Sequence, residues 1–598
     1  MTEATQIRPA ARPRTDIQIH YQVAMPQPET HLFEVTLTVT GWQSDRLNLK
    51  MPVWTPGSYL VREYARHLQD FAAHLATRSD QSLVWHKGSK NHWQIETEGV
   101  SDITVRYRIF ANELTVRTNH LDATHGFFNG AALFFFLPGW EQHPIQVTIV
   151  PARPDWRITT ALPSLPGQAN TFTAQDFDTL VDSPFEIGTH QLDEFEAVGK
   201  PHQLAIWGRN NLDRDRLIAD TQKIIQVEAE LFGGLPYDRY VFLLHTAQGY
   251  GGLEHKNSCT LLYPRSGFRA ADRYNRFMQL VAHEFFHLWN IKRLRPQGLE
   301  SFDYEAENYT PSLWFSEGTT SYYDVTIPFR AGIYDAKTFL KLLGKEISQF
   351  LMIPGRRVQP LSESSFDAWI KLYRRDANSN NSQISYYLKG EMVSLLLDLL
   401  IRARHGNGRS LDDVLRSLWQ RFGQPEVGFT PAELEQTIAA VAGVDLSDFF
   451  RRYLDTTEEL PFDQYLEPFG LEVQPENTEH LPPYLGLMAK SEHGKEVVKF
   501  VEMGSPAQQA GIDPEDELLA IDGFRVTAEQ ISDRLKDYCP GEVITMTLFH
   551  QDELRTCSAT LGPPPAPTAS PIDYPPQIPP PAQQQNFQNW LGVTMAEI

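Results

Sequence analysis

His283, Glu284 and His287 stand in the pattern H-E-x-x-H, written His283-Glu284-Phe285-Phe286-His287. On a helix, residues i and i+4 lie one above the other, so both imidazoles can reach one zinc ion while Glu284 lies beside the water that is activated there. This is hydrolytic chemistry. Zinc lowers the pKa of water and polarises a carbonyl, and a nearby carboxylate takes the water proton and returns it to a leaving amine. The alternative is a pair of surface histidines on an amphipathic helix. By chance the pattern arises in a chain this long with odds on the order of a few per cent. The flanking Leu280, Val281, Phe285 and Leu288 indicate a buried helix, in which His and Glu need a partner.

A catalytic zinc site takes three protein ligands and keeps one position open. The missing ligand can come from a carboxylate on a later helix, and Trp314-Phe315-Ser316-Glu317-Gly318 offers Glu317. A tetrahedral oxyanion also needs a donor other than the metal. Tyr387, at the start of a helix in Tyr387-Leu388-Lys389-Gly390, is the candidate, and a packed aromatic at a helix terminus is its alternative.

The elements that must position these residues follow from periodicity. Ile17, Ile19, Tyr21 and Val23, then Phe33, Val35, Leu37 and Val39, then Ile103, Val105, Tyr107 and Ile109 alternate with polar residues, which predicts antiparallel strands of a β-sandwich reaching to about Gly199. From Asn211 the period becomes helical. Ile218 to Phe232 reads as an amphipathic helix and Tyr240 to Leu244 as a short buried strand before a turn rich in glycine (Gly249, Gly251, Gly252). A long helix is expected from Asp272 to Leu294, stopped by Pro296, with later helices over Tyr386 to Arg404, Ser410 to Phe422 and Thr430 to Tyr453. Pro475 to Pro483 reads as a linker, Tyr484 to Leu561 as a small β-rich unit, and Gly562 to Ile598 as an extended tail dense in Pro and Gln until its last dozen residues.

Composition limits the partners. The chain has 598 residues, with 53 Lys and Arg against 75 Asp and Glu and a net charge of −22, which repels phosphate backbones and anionic membrane surfaces. Cys259, Cys539 and Cys557 lack metal-ligand spacing and suggest no disulfide framework. Met1 to Thr15 has no apolar signal core and no later stretch is long and apolar enough to span a bilayer, so a cytoplasmic protein is expected, with no nucleic acid and no membrane partner.

HEFFHLWNIKRLRP from His283 to Pro296, followed by WFSEGTTSYY from Trp314 to Tyr323, resembles the glycyl aminopeptidase family of metallopeptidases, and Met51 to Tyr59 resembles that family's N-terminal domain. The resemblance runs from about Asp16 to Leu561. It implies a multidomain α+β chain with an N-terminal β-sandwich domain (1–199), a thermolysin-like zinc peptidase domain (200–345) and a PDZ domain (484–561), to which the periodicity and composition above add a helical domain (346–474) and a Pro-rich tail (562–598). It also implies Glu as third zinc ligand. Two pieces are similar to motifs of larger aminopeptidases of the same clan. Gly251-Gly252-Leu253-Glu254-His255 resembles G-x-M-E-N, which maps recognition of the substrate's α-ammonium onto Glu254, with His255 and Leu253 departing from the pattern. Tyr387-Leu388-Lys389-Gly390 matches Y-x-K-G, which favours Tyr387 over its neighbour Tyr386 as oxyanion donor. Ser321 stands where thermolysin-like chains place an Asp that orients a zinc histidine, which leaves Asp324 as the candidate for that task. Tyr484-Leu485-Gly486-Leu487 resembles the carboxylate-binding loop of a PDZ domain, so Leu485, Gly486 and Leu487 are expected to hold a C-terminal peptide.

These residues lead to a zinc-dependent aminopeptidase acting on peptides with a free N-terminus, with a preference for small first residues such as Gly or Ala implied by the family alone. A processing endopeptidase guided by its PDZ domain is the second reading and an inactive PDZ scaffold the third. Thr594 to Ile598 reads first as a solvated tail with an incidental Ile at its end; the hypothesis set against this is that it competes for the PDZ groove, and a further alternative is that Trp590-Leu591-Gly592-Val593 begins a second repeat or packs as an added strand.

Overall fold

A computed structural model of the chain describes residues 17–475, 481–564, 569–573 and 579–598. The reading of the first fifteen residues as lacking a signal core lies outside the described residues, as does most of the expected linker after Pro475. Ile19, Tyr21 and Val23 all point into one core from the strand Gln18–Ala24. That strand lies in a seven-stranded sheet, between Ile145–Val150 and Leu32–Thr40, and Ile103–Phe110 follows beyond. Two smaller sheets share the same apolar core, so the first part of the chain is a β-rich domain.

The next sheet carries the cleft. Its strand order is Gln191–Ala197, Lys200–Trp207, Tyr240–Thr246, Ser258–Tyr263 and Gly251–Glu254. Tyr240–Thr246 runs parallel to both neighbours and is buried throughout, which accounts for its unbroken apolar run Tyr-Val-Phe-Leu-Leu. Gly251–Glu254 returns antiparallel and ends the sheet, so one side of its backbone has no strand partner. Helices pack on this sheet. Arg214–Phe232 starts at the Asp213 side chain, which accepts from Arg216 N, and stops at Gly233, where φ is 82°. Ala271–Phe286 carries the H-E-x-x-H pattern.

Several expected boundaries shift. Gln191–Ala197 pairs with Lys200–Trp207, so the chain enters the central sheet at Gln191, ahead of the expected boundary at 199. The division at 345 falls inside the helix Ala336–Met352, and one apolar core runs without a break through the expected peptidase and helical domains. The motif helix ends at Phe286, well short of Leu294. The stretch Thr430 to Tyr453 is two helices, Pro431–Ala442 and Ser447–Tyr453, separated at Gly443 with φ of 66°.

Residues 484–562 form a separate β unit with its own core of Leu485, Val498, Leu518, Ile521, Ile544 and Met546. It touches the main body through Asn381, whose Nδ2 donates to Val501 O at 3.0 Å and whose Oδ1 accepts from Met503 N at 3.0 Å. The tail docks on the body, and its helix begins ahead of the last dozen residues. Ala569–Asp573 pairs with Glu472–Pro475, and Pro581–Leu591 is a helix that buries Phe587 and Leu591 in the main core, with Trp590 packed between Phe339 and Phe469. Lys337 Nζ donates to Ile598 O at 3.0 Å, so the end of the tail sits on the main body, neither free in solvent nor competing for a groove of the β unit. Among the described residues no helix is long and apolar enough to cross a membrane. Phe587→Ala is expected to cost about 3–5 kcal/mol, read as an earlier urea unfolding transition; a shift worth under about 1 kcal/mol would mean that this helix is no part of the core.

Candidate active site

His283 and His287 project from one face of the motif helix, and Glu317 meets them from the next helical segment. Glu317 Oε2 stands 3.1 Å from His287 Nε2 and 3.6 Å from His283 Nε2, and it is 2% exposed. Each ring is fixed through its other nitrogen. His283 Nδ1 donates to Asp324 Oδ2 at 2.9 Å and His287 Nδ1 donates to Asn290 O at 2.8 Å, which turns Nε2 of both rings toward the Glu317 oxygen. Two imidazole nitrogens and one carboxylate oxygen in a buried space form a donor set that suits zinc, so these residues could hold such an ion. Glu284 lies on the same helix, 5% exposed, with Oε2 lacking a hydrogen-bond partner. Burial pushes its carboxyl up against the pull of His283 and His287, and the Glu254 and Glu317 carboxylates push the same way.

The residues after the motif explain how Glu317 arrives there. The chain leaves the helix at His287 and turns through Ile291, a β-branched residue at φ 112°. Asn290 reaches across this turn, and its Nδ2 meets Phe315 O, Ser316 O and Thr320 Oγ1 at 3.1–3.2 Å. Those acceptors belong to or adjoin the π-helical turn Trp314–Thr319, in which Glu317 sits. Behind that turn lies the helix Tyr386–Arg404, and the two backbones approach too closely for side chains. A Cβ on Gly318 would stand 2.4 Å from Gly390 Cα, and one on Gly390 would stand 2.5 Å from Trp314 O. The same helix begins at Ser385, whose side chain accepts from Tyr387 N, so the Gly318–Gly390 contact sets Glu317 and Tyr387 together. Tyr387 lines the cleft with its ring 6.3 Å from that of His283, whereas Tyr386 is fully buried behind it. Tyr373 Oη lies 3.1 Å from Tyr387 Oη.

Gly251, Gly252 and Glu254 lie on the edge strand. A Cβ on Gly252 would collide with Glu284 Oε1 at 2.0 Å, so glycine there lets the strand pass directly over the carboxylate. Glu254 is 4% exposed and abuts the turn at Gly57 from the N-terminal domain, where a Cβ would stand 2.5 Å from its Oε1. Trp54, Pro56, Tyr59, Ile291 and Lys292 complete a small pocket around it. On the other side of Tyr387 a cavity of about 1950 Å³ opens past Tyr250 toward the helix Ala336–Met352. His255 points away from the cleft: its Nδ1 is 3.2 Å from Asp182, which also binds Lys292 Nζ at 2.6 Å. Leu485, Gly486 and Leu487 are far along the chain in the β unit. Leu485 is in its core, Gly486 turns with φ of 76°, and Leu487 opens a strand that packs beside the turn Ala528–Gln530.

Residues 20–189 match the model of the peptidase M61 N-terminal domain, and residues 276–393 that of M61 glycyl aminopeptidase. A crystal structure of an aminopeptidase N family protein from Idiomarina loihiensis is similar at 33% identity with a TM-score of 0.89, over 96% of this chain and 100% of that one. The chain belongs to the M61 glycyl aminopeptidase family. It is accordingly a metallo-aminopeptidase. An M1 zinc metallopeptidase from Deinococcus radiodurans is a distant likeness, at 12% identity and a TM-score of 0.46 over 74% of this chain and 94% of that one. A search of curated proteins returned no match.

Within this M61 chain, motif reading missed three groups. Arg117 comes from the N-terminal domain, and its Nη2 donates to Gly252 O at 3.1 Å across 135 residues of sequence. Burial works against its charge, and the surrounding Tyr373, Tyr387, Glu284 and Glu254 more than restore it. Tyr373 and Asn290 are the other two. Asn290 had a signal, since it lies inside the quoted motif, but its partners are carbonyls that no sequence pattern reveals. Gly390→Ala tests the backbone contact. It is expected to cost about 1–3 kcal/mol of stability through overpacking and to lower aminopeptidase turnover about 10²-fold by displacing Glu317 and Tyr387. Wild-type stability with wild-type turnover would show that the contact is not what sets the two residues.

Proposed function

We propose that this chain is a zinc aminopeptidase that removes small N-terminal residues from peptides, with His283, His287 and Glu317 holding the metal. The observation that carries the reading is Glu254. It stands at the end of an edge strand, and the N-terminal domain abuts it through Gly57. An extended peptide can add to that strand by backbone hydrogen bonds, with its α-ammonium stopped at the Glu254 carboxylate. The preference for Gly or Ala as first residue rests on the glycyl aminopeptidase family. The large cavity beyond Tyr387 accommodates the rest of the peptide. A stopped N-terminus favours this reading over a processing endopeptidase.

The chemistry that zinc supplies when bound is Lewis acidity, toward a water and toward the scissile carbonyl. Glu284 is the base: its buried carboxyl accepts the proton of the attacking water and gives it to the departing amine. Tyr387 keeps its proton, because burial and the Glu317 carboxylate push its hydroxyl well above the usual range, and so it can donate to the developing oxyanion. Asp324 and Asn290 O hold the imidazole rings in the tautomer that presents Nε2. The separate β unit is proposed to be a PDZ domain whose groove lies between the strand Leu487–Glu492 and the segment Ala528–Leu535, with Leu485, Gly486 and Leu487 at its closed end to take a C-terminal peptide.

Free and N-acetylated peptides with Gly, Ala, Leu or Phe in first position discriminate the readings. Gly and Ala peptides should be cleaved fastest. Glu254→Ala should lower kcat/KM on free-amine peptides about 10- to 100-fold, the worth of a hydrogen bond to a charged group, and change the residual rate on acetylated ones little. Equal losses on both would sink the aminopeptidase role of Glu254.

A further inference from the structure

Away from the cleft, where the N-terminal domain meets the central sheet, several imidazoles surround one carboxylate. Glu186, on the strand Phe185–Gly188, is 1% exposed. Its Oε1 lies 2.8 Å from His125 Nδ1 and its Oε2 lies 2.8 Å from His245 Nε2. His125 belongs to the neighbouring strand His125–Phe128, and His245 to Tyr240–Thr246 of the central sheet. His190 follows Glu186 by four residues and holds its Nδ1 3.8 Å from Oε1. All of these side chains are buried, and neither Nδ1 of His190 nor Nδ1 of His245 has a hydrogen-bond partner. Buried polar atoms without partners are expensive, and the His190 Nδ1 that faces the Glu186 carboxylate asks for a reason.

The outer nitrogens supply one. His190 Nε2 lies 2.8 Å from Thr159 Oγ1, and His125 Nε2 lies 2.9 Å from His120 Nδ1. A metal-binding imidazole is tethered in this way: the far nitrogen donates its proton to a fixed acceptor and the near nitrogen presents a lone pair. The ligand atoms of His125, Glu186 and His245 lie within 4.8 Å of one another, as do those of His283, His287 and Glu317, and these are the two such groups among the described residues.

We propose that His125, His190, His245 and Glu186 form a second metal site, closed and structural, that takes a divalent cation of the zinc type and fastens the N-terminal domain to the catalytic sheet. Three nitrogens and one oxygen complete a tetrahedral set with no position left for substrate or water. Trp207 stacks on His125 with ring centres 3.8 Å apart, and Phe127 lies edge-on to His245 at 4.6 Å, so the site is sealed by aromatic rings. Metal entry displaces the protons that His125 Nδ1 and His245 Nε2 otherwise share with Glu186, and it gives the orphaned His190 Nδ1 a partner. The site spans two sheets of different domains, and its loss loosens the surface that carries Arg117 and Gly57 to the cleft.

Elemental analysis of the full chain, dialysed against metal-free buffer, tests this without reference to activity. Wild type should hold two equivalents of metal, His245→Gln one and His287→Ala one. A single equivalent in wild type that persists in His245→Gln would overturn the proposal and leave a hydrogen-bonded cluster. A single equivalent that is lost in His245→Gln and kept in His287→Ala would sustain it while overturning the metal assignment at the cleft. Should His245→Gln fail to fold, crystals of the wild-type protein grown with zinc and measured at the zinc edge decide: an anomalous peak among Glu186, His125 and His245 is expected, and its absence there overturns the site.

Discussion

A carboxylate buried between two imidazoles is the interaction on which the remaining architecture depends. Glu317 is 2% exposed and faces His283 and His287 through a single oxygen. Taking that charge out of water is costly unless partners surround it, so the fold has to deliver two helical segments to one point with little tolerance. The means are local. Asn290 ties the turn after the motif helix to the carbonyls around Glu317, and Gly318 and Gly390 let the π-helical turn and the Tyr387 helix touch backbone to backbone. One glycine pair thus positions a proposed metal ligand and a proposed oxyanion donor together.

The N-terminal domain takes part in the cleft. Gly57 abuts Glu254, and Arg117 holds the carbonyl of Gly252, whose missing side chain is what lets the edge strand lie over Glu284. The end of the chain closes the opposite side: the helix Pro581–Leu591 is packed into the core that also holds the motif helix, and Ile598 reaches the rim of the large cavity. The cleft is therefore made by parts of the chain hundreds of residues apart, held by ordinary side-chain burial.

What could be read in the sequence was what local spacing encodes. Histidines four apart with a glutamate between them, on a helix with an apolar face, gave the motif helix, and alternation gave the N-terminal strands. The end of the motif helix was misread because Leu288, Trp289 and Leu294 continue an apolar pattern; in the fold they are buried in a turn that His287 and Asn290 close by hydrogen bonds to backbone. The tail was misread because Pro and Gln dominate its composition, while two apolar residues four apart, Phe587 and Leu591, suffice to dock its helix. Arg117 and the Glu186 cluster carry no local pattern. Gly252 lies 135 residues from Arg117, and His125 and His245 lie 61 and 59 residues from Glu186, so only the folded chain brings them together.

The central claim is that Glu284 is the base beside a metal held by His283, His287 and Glu317. The most direct measurement is a comparison of wild type and Glu284→Gln for zinc affinity by calorimetry and for single-turnover cleavage of a glycyl peptide. The amide keeps the shape of the site and cannot accept a proton, so zinc affinity should be unchanged while cleavage slows about 10²–10⁴-fold. Cleavage at near wild-type rate with zinc bound would contradict the account.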